Sequence, residues 1–85
     1  MTPGELFAAL DGRELNPGSD RFLIEVFSVS DQAGQRWVQL ALEGAESRRL
    51  LTVRLKTGDS AQHVLLLLSS WLRDPAGTTE VFNVA

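Results

Sequence analysis

Eighty-five residues, 44% of them apolar and 22% charged, are enough for one small domain with a single two-layer core over positions 1–85. The formal net charge of -3 argues against a surface that binds duplex nucleic acid through a large excess of Lys and Arg. The absence of cysteine removes disulfides, thiolate nucleophiles and Cys-containing zinc sites.

MTPGELFAAL has no basic segment followed by a long apolar run, and no stretch approaches the roughly 18 apolar residues of a membrane span. A cytoplasmic protein with no membrane partner is the expectation. Thr2, Pro3 and Glu5 have the spacing of a helix start: a threonine cap, a proline in the first turn and a glutamate that closes a capping box. Leu6, Phe7 and Leu10 give this short helix its apolar side, and Asp11-Gly12 stops it. Gly12 to Asp20 reads as a loop around Asn16-Pro17-Gly18.

A first strand is expected from about Arg21 to Ser30. Phe22, Ile24 and Val26 point to one face, and Leu23, Glu25, Phe27 and Val29 to the other. After a turn at Asp31 to Gly34, a second strand from about Gln35 to Glu43 turns Val38, Leu40 and Leu42 inward and Trp37, Gln39 and Ala41 outward. A turn at Gly44 to Ser47 leads to a third strand, about Arg48 to Lys56, with Leu51, Val53 and Leu55 inward and Leu50, Thr52 and Arg54 outward. If that turn holds four residues, Glu43 opposes Arg48, Leu40 meets Leu51, Val38 meets Val53 and Trp37 meets Arg54. The last pair suggests a cation–π contact between Arg54 and Trp37.

The strongest helical signal runs from Asp59, read as the cap, to about Arg73. Ala61, Val64, Leu65, Leu68, Trp71 and Leu72 gather on one face at i, i+3, i+4, i+7 spacing, and Leu66 falls opposite. Asp74-Pro75-Ala76-Gly77 ends it, and Thr78 to Val84 has the propensity of a last strand. If that strand joins the same sheet, the helix acts as a right-handed crossover and the strand lies parallel to the third. The expected fold is therefore α+β, a two-layer sandwich of order α-β-β-β-α-β, with an antiparallel three-stranded meander and the long helix across one face.

No constellation for catalysis stands out, and a non-enzymatic role is expected. His63 has no nucleophile beside it, and Ser69 and Ser70 lack an elbow motif. The glycines form no phosphate loop, and the carboxylates are scattered without metal-ligand spacing, so neither cofactor nor metal is expected. Glu25, mid-strand among apolar residues, is best read as paired with an arginine or facing solvent.

The order helix, three antiparallel strands, helix is similar to that of the double-stranded RNA-binding domain over most of Thr2 to Arg73. Where that family carries phosphate-binding lysines, this chain has Thr57-Gly58-Asp59-Ser60-Ala61-Gln62-His63, so the resemblance does not bring RNA binding with it. The same order with a further strand also resembles the front portion of type III secretion chaperones. Element order alone assigns no activity.

Leu23, Phe27, Val29, Trp37, Ala41 and Leu50 would together make an apolar outer sheet face, with Arg54 at its edge. Such a patch is either covered by the N-terminal helix or used for association. The preferred expectation is a protein-interaction or assembly module that forms a homodimer, or binds a protein partner, through Leu23, Phe27, Val29, Trp37, Leu50 and Arg54. The alternative is a weak nucleic-acid-binding domain using Arg36, Arg48, Arg49, Arg54 and Lys56 on the second and third strands.

Overall fold

The computed structural model describes residues 1–84. Helix α1, Pro3–Leu10, starts as the sequence dictates: the Glu5 amide donates to Thr2 Oγ1 at 3.1 Å, and the Thr2 amide donates to Glu5 Oε1 at 2.9 Å. Two of the helix's orphan N-terminal donors are thereby satisfied. Gly12, at φ 80°, makes the turn out of it. The chain then forms β1 (Glu14–Leu15), β2 (Phe22–Gln32), β3 (Gln35–Glu43) and β4 (Arg48–Lys56). Helix α2 (Ala61–Arg73), a 3₁₀ turn (Pro75–Gly77) and β5 (Val81–Asn83) follow. The five strands form one antiparallel sheet in the order β1-β2-β3-β4-β5.

The β3–β4 register is the expected one throughout, with Glu43 opposite Arg48, Leu40 opposite Leu51, Val38 opposite Val53 and Trp37 opposite Arg54. Ile24, Val26, Val38, Leu40, Leu42, Leu51, Val53 and Leu55 line the inner face and are buried. They pack with Leu6 and Leu10 of α1 and with Val64, Leu68 and Trp71 of α2 in a single cluster. Both helices therefore cover the same face. The arrangement in which α1 shields the outer face is not the one adopted.

Four sequence expectations are corrected. The segment read wholly as a loop contains β1, where Glu14 pairs with Leu23 and Leu15 with Phe22. Beyond it the Gly12 amide reaches Ile24 O, and the Asp11 carboxylate accepts from the Val26 amide at 3.0 Å, extending the ladder with a side chain. Second, β2 runs on to Gln32, and its hairpin to β3 closes through Ala33 and Gly34 alone, both at positive φ (52° and 77°).

Third, the α2 cap is Ser60, whose hydroxyl accepts from the His63 amide. Asp59 instead takes the Lys56 amide at 2.9 Å. Fourth, β5 lies antiparallel to β4, with Leu51, Thr52 and Val53 opposite Asn83, Phe82 and Val81, and not parallel as a right-handed crossover requires. The 3₁₀ turn after α2 reverses the chain. Residues 78–80 then bring it back to Arg54, whose amide donates to Glu80 O at 2.8 Å.

Arg36 is the only buried charged residue among those described. Its Nε and Nη2 donate to the two Asp31 carboxylate oxygens at 2.7 and 3.0 Å, and its Nη1 donates to Met1 O at 2.7 Å. These bonds hold the Asp31 carboxyl below its ordinary range. Asp59 is lowered as well, first by the Lys56 amide and then by His63. Groups depressed in the folded state stabilise it fully above their unfolded pKa, about 3.9 for Asp, and lose that contribution as pH falls through the folded value. Wild-type urea midpoints are thus expected to drop below about pH 4. Asp31→Asn should start from a lower midpoint at pH 7 and lose less on acidification; equal midpoints at pH 7 would remove the ion pair from this role.

Candidate functional site: the outer face of the sheet

Along β2 the side chains alternate until Phe27. There the register slips: Val26 opposes Leu40, Ser28 opposes Gln39, and Phe27 is the extra residue of a β-bulge. From that point parity is reversed. Ser28 and Ser30 turn outward, whereas Val29, opposite Val38, turns inward and packs against the core. Val29 was expected on the outer face, and its placement is corrected by this one inserted residue. Phe27 remains on the outer side, where it meets Gln39 and Leu50.

Of the six side chains expected at an outer interface, Leu23, Phe27 and Leu50 are exposed and share the half of the face nearer the Gly44–Ser47 turn. Trp37 is half-buried and lies beyond Gln39, in a shallow groove with Ser28, Ser30, Gln32 and Thr52. Arg54 is outward too, opposite Trp37, yet its guanidinium lies over the Phe82 ring, 5.5 Å from the centroid. The expected contact with Trp37 is therefore replaced by one with β5. The half nearer the Gly44–Ser47 turn thus carries Leu23, Phe27 and Leu50 beside the Glu25–Arg48–Glu43 ion pairs, and the other half carries Trp37 and Arg54 among uncharged polar side chains.

Two further apolar side chains of this face were missed by sequence reasoning. Phe82 stands opposite Thr52, and Val84, whose amide donates to Leu50 O at 2.9 Å, stands beside Leu50. The alternation of Val81, Phe82 and Val84 holds the signal, but it assigns faces only once the neighbour of β5 is known. Leu23, Phe27, Leu50, Phe82 and Val84 are between 41% and 48% exposed. Between Phe27, Leu50 and Val84 the surface dips into a hollow of about 130 Å³, completed by Gln39 and by Leu40 and Leu51, whose side chains point the other way.

The basic residues do not gather. Arg36 is spent on Asp31, on the inner side, and Arg49 lies over the Trp71 ring at 5.7 Å. Arg48 is held at 3.0 Å by both Glu25 and Glu43 and stacks 5.7 Å over Phe27. Glu25 is thereby an arginine-paired carboxylate. Arg54 and Lys56 are what remains of the positive stripe. His63 Nδ1 is 3.3 Å from Asp59, one turn back on the same side of the chain.

Among the described residues no three His, Asp or Glu side chains are grouped to hold a metal ion, and no helix is long and apolar enough to cross a membrane. Comparison with known proteins finds no family model, no curated relative and no solved structure that matches this chain.

Proposed function

We propose that this chain is a non-enzymatic interaction module that associates with a second copy of itself through the outer face of its sheet, in the cytoplasm. One observation carries the reading: α1 and α2 pack on the same side, leaving Leu23, Phe27, Leu50, Phe82 and Val84 on a sheet face with no second layer. Several large exposed apolar side chains on one uncovered face of a small domain, here beside the Glu25–Arg48–Glu43 ion pairs, favour an interaction site. A closed two-fold pair is the simplest assembly that covers it on every copy.

The nucleic-acid reading has less support, because Arg36, Arg48 and Arg49 are each engaged within the chain. The test is the native mass by size-exclusion chromatography with light scattering, across concentrations and at two salt levels. The expected result is twice the 9.3 kDa chain mass, retained at high salt because apolar burial is not screened. A monomer at every concentration overturns self-association.

A further inference from the structure

We propose that the groove around Trp37 binds a neutral sugar, a glucose-configured pyranose presented in a β-linked oligosaccharide. The site stands apart from the self-association reading, because it occupies the other half of the outer face. Ser28, Ser30, Gln32, Trp37, Gln39 and Thr52 border an open groove of about 410 Å³, within the roughly 300–1,000 Å³ of small-ligand sites. None of the six is ionisable, in a chain where 22% of the residues are charged. The charged neighbours are drawn away: Arg54, opposite Trp37, lies over Phe82, and Asp31 is bonded to the buried Arg36. A phosphate or carboxylate would find no cation in the groove, and an ammonium no anion.

The bulge is what builds the groove. Strict alternation from Phe27 would turn Val29 and Asp31 outward beside Trp37, and the inserted residue puts Ser28, Ser30 and Gln32 there instead. An apolar residue and an acid give way to neutral groups that both donate and accept. Bulges recur beside active sites, where they re-aim side chains in this way. Ser28 Oγ donates to Gln39 Oε1 at 3.0 Å, which orients that amide and leaves its NH2 to donate. Trp37 stands opposite Ser30, and Gln39 lies between Ser28 and Thr52, so hydroxyl and amide groups flank the indole at the roughly 5 and 7 Å spacings of a sheet.

These parts suit a sugar. In a β-glucosyl ring every substituent is equatorial, so both flat faces present only C–H groups and the rim presents hydroxyls. The half-buried indole offers an apolar plane to one face, and the side chains beside it meet the rim as donors or acceptors. An open groove is enough, because hydroxyls left undocked stay in water. An extended peptide fits less well: it draws on backbone groups at a sheet edge, and across this groove the β2–β3–β4 ladder has consumed them.

The test is a titration of the isotopically labelled chain with cellotetraose, four β-linked glucose units, followed by heteronuclear NMR. The Trp37 indole N–H is identified from the spectrum of Trp37→Phe. Saturable shifts are expected at that indole and at the Ser30, Gln39 and Thr52 amides, with a dissociation constant on the order of 1 mM for a one-sided contact. Trp37→Ala should weaken binding about tenfold and Trp37→Phe less, since a ring remains. Gln39→Ala, at an exposed position, should weaken it by about threefold to tenfold, and it carries the test if circular dichroism shows Trp37→Ala to be unfolded. No saturable shift at sugar concentrations well above that constant, or wild-type affinity in Gln39→Ala and Trp37→Ala alike, overturns the site. An oligothymidylate that shifts the Trp37 indole where cellotetraose does not would also overturn it, in favour of base stacking. Either result leaves the native-mass test of self-association as it stands.

Discussion

Leu50→Glu is expected to break the proposed dimer into monomers while leaving the fold intact. Leu50 lies on the outer face, is 41% exposed in the free chain, and pairs with Ala41 across β3–β4. Completing the burial of a leucine is worth about 1.5–3 kcal/mol at most, and a two-fold interface counts it twice. A carboxylate there must also be desolvated against apolar neighbours. The dissociation constant should rise by about a hundredfold or more, since each 1.4 kcal/mol is a factor of about ten. Light scattering reads the mass and far-UV circular dichroism reads the fold. An unchanged dimer would move the interface elsewhere; an unfolded chain would mean that Leu50 serves the intramolecular core instead.

Trp71→Ala is expected to have the largest effect on stability, a loss of about 3–5 kcal/mol. The indole is buried where α2 meets the sheet, and Arg49 of β4 covers it from the strand side. A chain of this length is stable by about 4–13 kcal/mol in all, so the loss takes a large share of the total and should lower the urea midpoint steeply. Leu66→Ala provides the control on the same helix: Leu66 is 58% exposed, and its truncation should stay within about 0.5 kcal/mol. Urea midpoints compared at one fixed protein concentration decide the matter, because the proposed self-association would make apparent stability depend on concentration. Equal losses at the two positions would contradict the assignment of the α2 core face.

How much of this was legible in the sequence varied with the kind of pattern each segment carries. The β3–β4 hairpin could be read to the residue, because Val38, Leu40 and Leu42 on one strand and Leu51, Val53 and Leu55 on the other keep strict alternation, and a one-residue slip would turn Arg54 and Lys56 inward. Helix α2 was equally plain from its 3.6-residue period. Strand β2 is apolar on both faces, so an inserted residue leaves no mark on the hydrophobic pattern. The bulge at Phe27, and with it the true side of Val29, could not be seen. β1 is too short for any periodicity. Its place is set by backbone bonds and by the Asp11 carboxylate, which are tertiary facts.

The candidate site divides in the same way. Leu23, Phe27 and Leu50 follow from strand alternation alone. Phe82 and Val84 depend on β5 lying beside β4, and that in turn depends on the reversal at Pro75–Gly77, which a local reading takes only as a helix stop. Trp37, expected at the interface with Phe27 and Leu50, lies instead in the half of the face that carries the uncharged polar side chains. What surrounds it, Ser28 and Ser30, was moved there by the bulge.

The order of strands in the sheet follows their order along the chain, and this bears on how the molecule comes together in time. Each pairing closes a loop between consecutive strands, so the entropy of closure rises only with the length of each connection. The Ala33-Gly34 hairpin has the shortest connection, and the Gly44–Ser47 turn the next. The joining of β5 to β4 spans everything from Thr57 to Glu80, including the whole of α2, and carries the largest closure entropy of the four pairings. The hollow beside Phe27 lacks its Val84 wall, and Phe82 has no fixed place, until that step is complete. The β2–β3–β4 meander can therefore pair before β5 arrives, and the joining of β5 then completes the core with Val81 and the outer face with Phe82 and Val84 in a single step.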